Sequence, residues 1–178
     1  MRSDPLHLPG SIVIDTSLLL LLLGYQCLEM ERGRPADRVN KLSAIRGRDD
    51  NLPSDCFDDL WELFQGAKRR IVTQHVIAET YGSRNRLASF RHRRDLVWRS
   101  AIALLTDPGI EEYSCSIRHV HDRPEYRKIL VALGPADAGL IYVAEQLDAT
   151  VITDDGPLKH WAGVRSVPAV LLNELGTW

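Results

Sequence analysis

The sequence predicts an α/β fold in which a parallel sheet lies between two layers of helices. Short runs rich in β-branched residues alternate with longer segments in which apolar residues recur at helical spacing. Parallel neighbours need a long crossover, usually a helix, so this alternation favours a parallel sheet. A length of 178 residues suits one domain with its own core, and we expect a single domain over residues 1–178.

The first predicted strand and the first predicted helix meet at Asp15. Residues 12–14 are a β-branched run of the kind favoured in strands, and the six leucines at 18–23 are good helix formers. Thr16 or Ser17 can serve as the N-cap of this helix. Because ligands bind at the carboxyl ends of strands in an open parallel sheet, Asp15 would lie at the mouth of a site. The alternative is that Asp15 only helps to cap the helix.

The next segment is predicted to leave the core. Gly24 is a suitable end for the leucine helix, since glycine takes the left-handed C-cap conformation easily. Residues 26–55 are rich in charge and turn formers, with one short helix expected over 36–45. We interpret 26–55 as an insertion. A further helix with solvated acids is expected over 55–67.

A second carboxylate follows a second strand. Residues 70–74 form another β-branched run, and the helix after it carries Glu79. Pro108 and Gly109 then break the chain, and residues 110–117 can supply a third strand. Glu79 thus follows the second strand much as Asp15 follows the first.

Three more acids lie near the last strands. Residues 134–147 are predicted to form a helix that is buried on more than one side, with Asp137 in its first turn. An acid there also gains from the helix dipole without any function. Residues 150–155 form a strand that ends in Asp154 and Asp155, and residues 167–172 form a last strand.

One stretch of the chain is strongly basic. Residues 84–99 hold six arginines and one acid, whereas the whole chain has 22 Lys and Arg against 24 Asp and Glu. We expect a helix there whose arginines reach nucleic-acid phosphates rather than bases, because the stretch offers no interleaved aromatics suited to stacking. A solvated helix face is the alternative. The candidate nucleic-acid-binding residues are Arg84, Arg86, Arg91, Arg93 and Arg94.

Cysteine usage and hydropathy restrict the compartment. Cys27, Cys56 and Cys115 are odd in number and lack a CxxC pattern, which argues against a disulfide framework and a structural zinc site. Residues 12–23 are too short to span a bilayer, and the N-terminus lacks an apolar signal region. We therefore expect a cytoplasmic protein with no membrane partner.

Four carboxylates are expected to converge at one edge of the sheet, namely Asp15, Glu79, Asp137 and Asp155. One such pair costs about 4 kcal/mol at about 4 Å and an effective dielectric near 20, unless it is protonated or bridged by a cation. Ligation by oxygen alone selects Mg²⁺ or Mn²⁺ over zinc. Such a site activates water and neutralises a phosphate, as phosphodiester hydrolysis requires.

The sequence around these acids resembles the four motifs of the PIN-domain nucleases, a family that includes the VapC-type toxin ribonucleases. The motifs are VIDTS around Asp15, VIAE around Glu79, DAGLIYVA behind Asp137 and VITDD ending at Asp155. The resemblance implies a three-layer α/β/α fold with a five-stranded parallel sheet in the order 3-2-1-4-5. It also implies a Mg²⁺- or Mn²⁺-dependent endoribonuclease that acts on RNA, with frequent homodimers.

The resemblance assigns a role to each acid. Asp15 and Asp137 would be the principal metal ligands. Asp155 would be a further ligand, directly or through water. Glu79 would be a ligand or the base that orients water.

The same pattern implies supporting residues. Ser17 matches a hydroxyl position that would hold a metal-bound water, and Thr153 and Asp154 would support the ligands from behind. The compact toxins lack an insertion such as 26–55, since their first helix leads directly into the next helical pair. This departure bears on the toxin assignment and on the substrate more than on the nuclease chemistry. A toxin with an antitoxin partner is one form of the nuclease hypothesis.

Two other classes compete with the nuclease. A haloacid-dehalogenase-like phosphotransferase also has an Asp after its first strand, but it needs a D-x-D pair, and Ser17 occupies the second position here. A non-catalytic RNA-binding or scaffold protein with the same fold is the other alternative, since a fold does not fix a function.

Overall fold

The computed structural model describes residues 9–31, 35–47, 55–83, 87, 90 and 93–177. Its strands are β1 (Ser11–Ile14), β2 (Arg69–Thr73), β3 (Ile110–Tyr113), β4 (Thr150–Thr153) and β5 (Ala169–Leu171). They form one parallel sheet in the order β3-β2-β1-β4-β5. The predicted five-stranded sheet and its strand order are confirmed.

The helices within these ranges lie on both sides of the sheet. They are α1 (Thr16–Glu31), α2 (Pro35–Arg46), α3 (Asp55–Gly66), α4 (Gln74–Gly82), α5 (Arg94–Leu105), α6 (Ile117–His121), α7 (Arg127–Leu133), α8 (Pro135–Leu147) and α9 (Gly156–Val164). Helix α1 packs against α2, α3, α4 and α5, whereas α8 packs against α6, α7 and α9. These two groups are the helical layers of the predicted α/β/α fold. No helix in the described part of the chain is both long and apolar enough to cross a membrane.

Strand β1 lies at the centre of the sheet. Val13 pairs with Ile71 of β2 on one side and with Val151 of β4 on the other. All three side chains are completely buried, as a strand covered on both faces requires. The six leucines at 18–23 are buried as well, so α1 is an internal helix that is apolar on all sides. The chain between β1 and α1 is therefore held firmly on both sides of Asp15.

Helix α1 does not end at Gly24, as the sequence suggested, but continues to Glu31. A Cβ atom at position 24 would collide with the end of the Ile45 side chain, so the glycine allows α2 to pack closely against α1. Leu42 and Ile45 are buried in the core. The expected helix over 36–45 is confirmed, and it is part of the core rather than an excursion from it. Whether 26–55 is an insertion stays a prediction, and residues 32–34 and 48–54 lie outside the described residues.

Other boundaries differ by a few residues. Strand β3 ends at Tyr113 rather than at residue 117, because the chain turns at residues 114–116 and then starts α6. The last strand covers three residues instead of six. Helix α3 spans Asp55–Gly66 as expected, but Asp59 is buried instead of solvated.

Candidate active site

The four predicted acids lie on neighbouring elements at the carboxyl edge of the sheet. Asp15 directly follows β1, and Asp155 follows the end of β4 by two residues. Glu79 lies on α4, the helix that follows β2, and Asp137 lies in the first turn of α8. Since β1 lies between β2 and β4, the three strand ends are adjacent. This is the edge at which ligands bind in open parallel sheets.

Asp15 is both a helix cap and the centre of this edge. Its Oδ1 accepts the backbone N–H of Leu18 at 2.7 Å, which satisfies one of the donors that the first turn of α1 leaves free. Its Oδ2 accepts the hydroxyl of Thr153 and, at 3.2 Å, the backbone N–H of Asp154. The expectation that Thr16 or Ser17 caps the helix is therefore wrong. Asp15 therefore caps the helix and also lies at the candidate site, so the two interpretations do not exclude each other.

The Asp15 carboxyl is strongly shielded from solvent, with 5% of its surface exposed. Burial raises its pKa above the ordinary value, and the nearby Asp154 charge acts in the same direction. The hydrogen bonds from Thr153, Leu18 and Asp154 favour the ionised form and offset part of this shift. The carboxylate is thus held in place by three donors at an electrostatic cost.

Thr153 joins two of the acids. Its hydroxyl donates to Asp15, and the same oxygen accepts the backbone N–H of Asp155 at 2.9 Å. Thr153 is completely buried, so this connection is sheltered from water. Its position agrees with the supporting role that the sequence suggested, because it fixes Asp15 relative to the turn that carries Asp155.

Asp154 forms an ion pair with an arginine that the sequence did not reveal. The guanidinium of Arg46, at the end of α2, donates to both carboxylate oxygens of Asp154, at 2.6 and 2.8 Å. Both side chains are buried. The backbone N–H of Asp154 meanwhile donates to Asp15. Arg46 therefore holds the segment that positions Asp15, and α2 contributes to the site from a part of the sequence assigned to an insertion.

Glu79 and Asp137 complete the group. The hydroxyl of Thr16 donates to Glu79 Oε2 at 2.8 Å, which connects α4 to the start of α1. Asp137 is half-buried, and its pKa is raised to about 6, first by burial and then by the negative charges of Asp15, Glu79 and Asp155. All three predicted partners thus act on Asp137 through their charge. The structure brings the four acids into one electrostatic group.

The arrangement is looser than a formed metal centre. No three of the described His, Cys, Asp and Glu side chains are grouped closely enough to hold one ion. Asp15 and Glu79 are instead turned toward donors of the protein. The donor set still suits a hard divalent cation, because every side chain in the group offers carboxylate oxygen. Mutual repulsion of the acids is what such a cation would relieve.

The positions of the remaining candidate residues say less about the site. Ser17 is half-buried in the first turn of α1. Arg93 and Arg94 are exposed at the start of α5, and an Arg93 nitrogen lies 3.5 Å from Glu31. The other three arginines of the basic stretch, Arg84, Arg86 and Arg91, lie outside the described residues.

Sequence reasoning missed the role of Arg46 and misjudged that of Thr16. Thr16 acts on Glu79 rather than as a helix cap, and Arg46 pairs with an acid 108 positions away. Nothing local in the sequence signals either contact. Trp98, by contrast, was visible in the basic stretch, and the structure places it on the surface, 45% exposed. The expectation of a stretch without an aromatic suited to stacking is therefore wrong.

Comparison with known families agrees with the fold. The model of the PIN domain matches residues 42–164, which include Glu79, Asp137 and Asp155, while Asp15 precedes the matched segment. The chain belongs to the PIN domain family. This membership supports nuclease activity in general, of a kind that often depends on a divalent metal, and gives no support to the haloacid-dehalogenase alternative. No curated protein matches the chain.

Replacing Arg46 with Met should lower the free energy of unfolding by about 3–5 kcal/mol, because the buried Asp154 carboxylate loses its paired cation. The matched control is Arg69→Met. Arg69 donates to both oxygens of Glu111 in the same geometry, at 2.8 and 2.7 Å, but on the surface. This control should cost at most about 1 kcal/mol. Urea unfolding measures both variants, and equal losses would contradict the buried pair.

Replacing Asp137 with Asn should stabilise the protein in EDTA above pH 6. A carboxyl whose folded-state pKa is raised from 3.8 to about 6 binds its proton more tightly when folded, so its contribution is present below pH 4 and lost as pH rises through 6. The shift corresponds to at most about 3 kcal/mol, and we expect about 1–2 kcal/mol after solvent screening and loss of the favourable charge at the helix start.

The measurement is thermal or urea unfolding of wild type and variant between pH 4 and 7. The stability difference should grow with pH. The control Asp148→Asn removes an exposed charge at the other end of α8, in a left-handed conformation that Asn also accepts. If the difference in stability between Asp137→Asn and wild type did not change with pH, the charges of the other acids would not act on Asp137.

Proposed function

We propose that the protein is a Mg²⁺- or Mn²⁺-dependent endoribonuclease that hydrolyses phosphodiester bonds of single-stranded RNA. The observation that carries the proposal is the position of Asp15, Glu79, Asp137 and Asp155 on neighbouring elements at the carboxyl edge of the sheet. The negative charges of Asp15, Glu79 and Asp155 disfavour ionisation of Asp137, on a family fold that supports nuclease activity. Binding of a divalent cation turns this repulsion into affinity.

Each acid has a distinct part in the proposed reaction. Asp15 and Asp137 are the principal metal ligands, Asp155 is a further ligand directly or through water, and Glu79 is a ligand or orients the attacking water. The bound cation supplies an activated water and charge neutralisation at the phosphate. Ser17, in the first turn of α1, is placed two residues from Asp15 and is proposed to hold a water of the site.

The protein itself supplies positioning. Thr153 fixes Asp15 relative to the Asp155 turn, and Thr16 ties Glu79 to the start of α1. Arg46 neutralises Asp154, so that this fifth acid does not add its full charge to the group. Catalytic groups held on rigid elements lose little freedom on reaction, which favours a defined geometry at the phosphate.

The basic stretch is the proposed RNA contact. Arg93 and Arg94 are exposed at the start of α5, and residues 84–99 carry a local excess of positive charge on a chain of net charge −2. The acidic site alone would repel RNA, so an attached basic surface is needed to hold the backbone. The proposal also includes Arg84, Arg86 and Arg91, which lie outside the described residues.

A cellular role as the toxin of a toxin–antitoxin pair, acting in the cytoplasm as a homodimer, is one form of this proposal. The alternative to a nuclease is a PIN-fold protein that binds RNA or serves as a scaffold without cleaving RNA. The two functions differ in a single property, turnover with a divalent metal. The family match and the acid group favour the nuclease.

Purified protein should cleave single-stranded RNA in Mg²⁺ or Mn²⁺ and lose this activity in excess EDTA. Asp15→Asn and Asp137→Asn should each lower the rate at least about 100-fold, since each removes a proposed ligand. Asp148→Asn should keep the wild-type rate, because Asp148 is exposed at the far end of α8. Gel assays with labelled RNA measure all four proteins.

Circular dichroism shows whether the variants are folded. Undiminished cleavage in EDTA would refute the metal-dependent mechanism. Near wild-type rates for both Asp15→Asn and Asp137→Asn would place the active site elsewhere. RNA binding without turnover under any metal condition would favour the non-catalytic alternative.

Replacing Arg91, Arg93 and Arg94 together by Ala should weaken RNA binding by a similar factor for unrelated sequences. Loss of three phosphate contacts should also flatten the dependence of log affinity on log salt by about 2 units for single-stranded RNA. Fluorescence anisotropy in EDTA at several salt concentrations measures both effects. Replacing Arg118, Arg127 and Lys128 together by Ala removes the same three charges from exposed positions on α6 and α7 in the opposite helical layer, and is the control. Unchanged affinity and slope for the triple variant would make the stretch a solvated helix face.

A further inference from the structure

Two exposed aromatic side chains meet on the surface between α4 and α5. Tyr81 is 49% exposed and Trp98 is 45% exposed, and their ring centroids lie 5.0 Å apart with the planes inclined by 55°. Large aromatic residues are seldom this open on a folded protein, because burying either one would stabilise the core substantially. The pair therefore offers a π surface to a ligand from solution.

The surroundings of this aromatic pair are positively charged. Arg94 is exposed one helical turn before Trp98 on α5, and the side chain of Arg99, the next residue along, is 75% exposed. Asp95 lies 3.7 Å from Arg99 but is itself exposed, so it neutralises that arginine only weakly in water. Cationic groups beside an aromatic surface are the features by which proteins hold the backbone and bases of a single strand.

Tyr81 lies on the same helix as Glu79, one of the four acids. Tyr81 and Glu79 are two residues apart on α4, so their Cα atoms are separated by about 5–6 Å. Thr80 between them is buried, and Glu79 and Tyr81 therefore project from the two flanks of the buried face of the helix. A single strand that crosses the exposed face of α4, about 10–12 Å wide with its side chains, would meet both Glu79 and the aromatic pair.

We infer that Tyr81 and Trp98 form a stacking platform that binds an unpaired base of single-stranded RNA near the cleavage site. Arg94 and Arg99 contact the phosphates on either side of the stacked base. This inference rests on the proposed RNA substrate. It also narrows that substrate, because the platform selects strands with an accessible base over duplexes, in which both faces of each base are already stacked.

The exposed side chain of Ile102 distinguishes an RNA ligand from a protein partner on this surface. Ile102, one turn after Trp98, is 58% exposed and gives the surface some apolar character. A protein interface would use Ile102 together with Trp98 through apolar contact, whereas a base stacks on an aromatic ring and gains little from an isoleucine. The role of Ile102 therefore separates the two occupants.

The test compares Trp98→Phe, Trp98→Leu and Ile102→Ala with wild type in binding a short labelled single-stranded RNA, by anisotropy in EDTA. Trp98→Leu should weaken binding about five- to a hundredfold, and Trp98→Phe should restore much of the loss, because stacking needs an aromatic ring. Ile102→Ala should bind as wild type does. The salt slope should be the same for all four proteins, since none of these changes alters charge.

A duplex of the same sequence should bind wild type and Trp98→Leu equally. If Trp98→Leu is less stable than wild type in thermal melting, Tyr81→Leu takes its place with the same expectation. Failure of wild type to bind RNA, unchanged binding by the Leu variant, or equal losses for Trp98→Leu and Ile102→Ala would each overturn the platform. Loss of self-association in Trp98→Leu with unchanged RNA binding would assign the surface to a second copy of the chain. Because EDTA is present throughout, this test measures binding without cleavage. A failure to cleave RNA in Mg²⁺ or Mn²⁺ would count against the nuclease proposal alone.

Discussion

The hydrogen bonds of the Asp15 carboxylate hold the candidate site together. One oxygen caps α1 through Leu18, and the other binds Thr153 and the backbone of Asp154 at the end of β4. The same group therefore starts the internal leucine helix and joins the first strand to the fourth. Since Thr153 also receives the N–H of Asp155, a change at Asp15 would disturb the helix start and the turn of a second acid together.

This arrangement has an electrostatic cost that the fold reduces only in part. Burial raises the pKa of Asp15, and burial together with three neighbouring acids raises that of Asp137 to about 6. Arg46 compensates the charge of Asp154, which is not one of the four acids of the group.

Much of the fold could be predicted because its signals are local. Val13 and Val151 lie in β-branched runs, and both form central strands, while the acids that follow these strands mark the ligand-binding edge. Contacts between distant segments could not be predicted. The end of α1 was misplaced because Gly24 is needed for the approach of Ile45, which lies on another helix.

The site shows the same limit. The acids were identified from their positions after strands, but the pairing of Arg46 with Asp154 depends on how α2 folds back onto α1, which no spacing in the sequence encodes. Thr16 likewise has a cap-like position in the sequence, and its hydroxyl goes to Glu79 because Asp15 already occupies the cap. The surface position of Trp98 beside Tyr81 also depends on tertiary packing.

The central claim is that four acids from separate elements act on one another at the edge of the sheet. The most direct measurement is a carboxyl ¹³C NMR titration of Asp137 in EDTA, in wild type and in Glu79→Gln and Asp155→Asn. We expect a pKa of about 6 in wild type and a lower value in each variant, because each removes a negative charge that disfavours ionisation. A wild-type pKa near 4 that neither substitution changes would contradict the account.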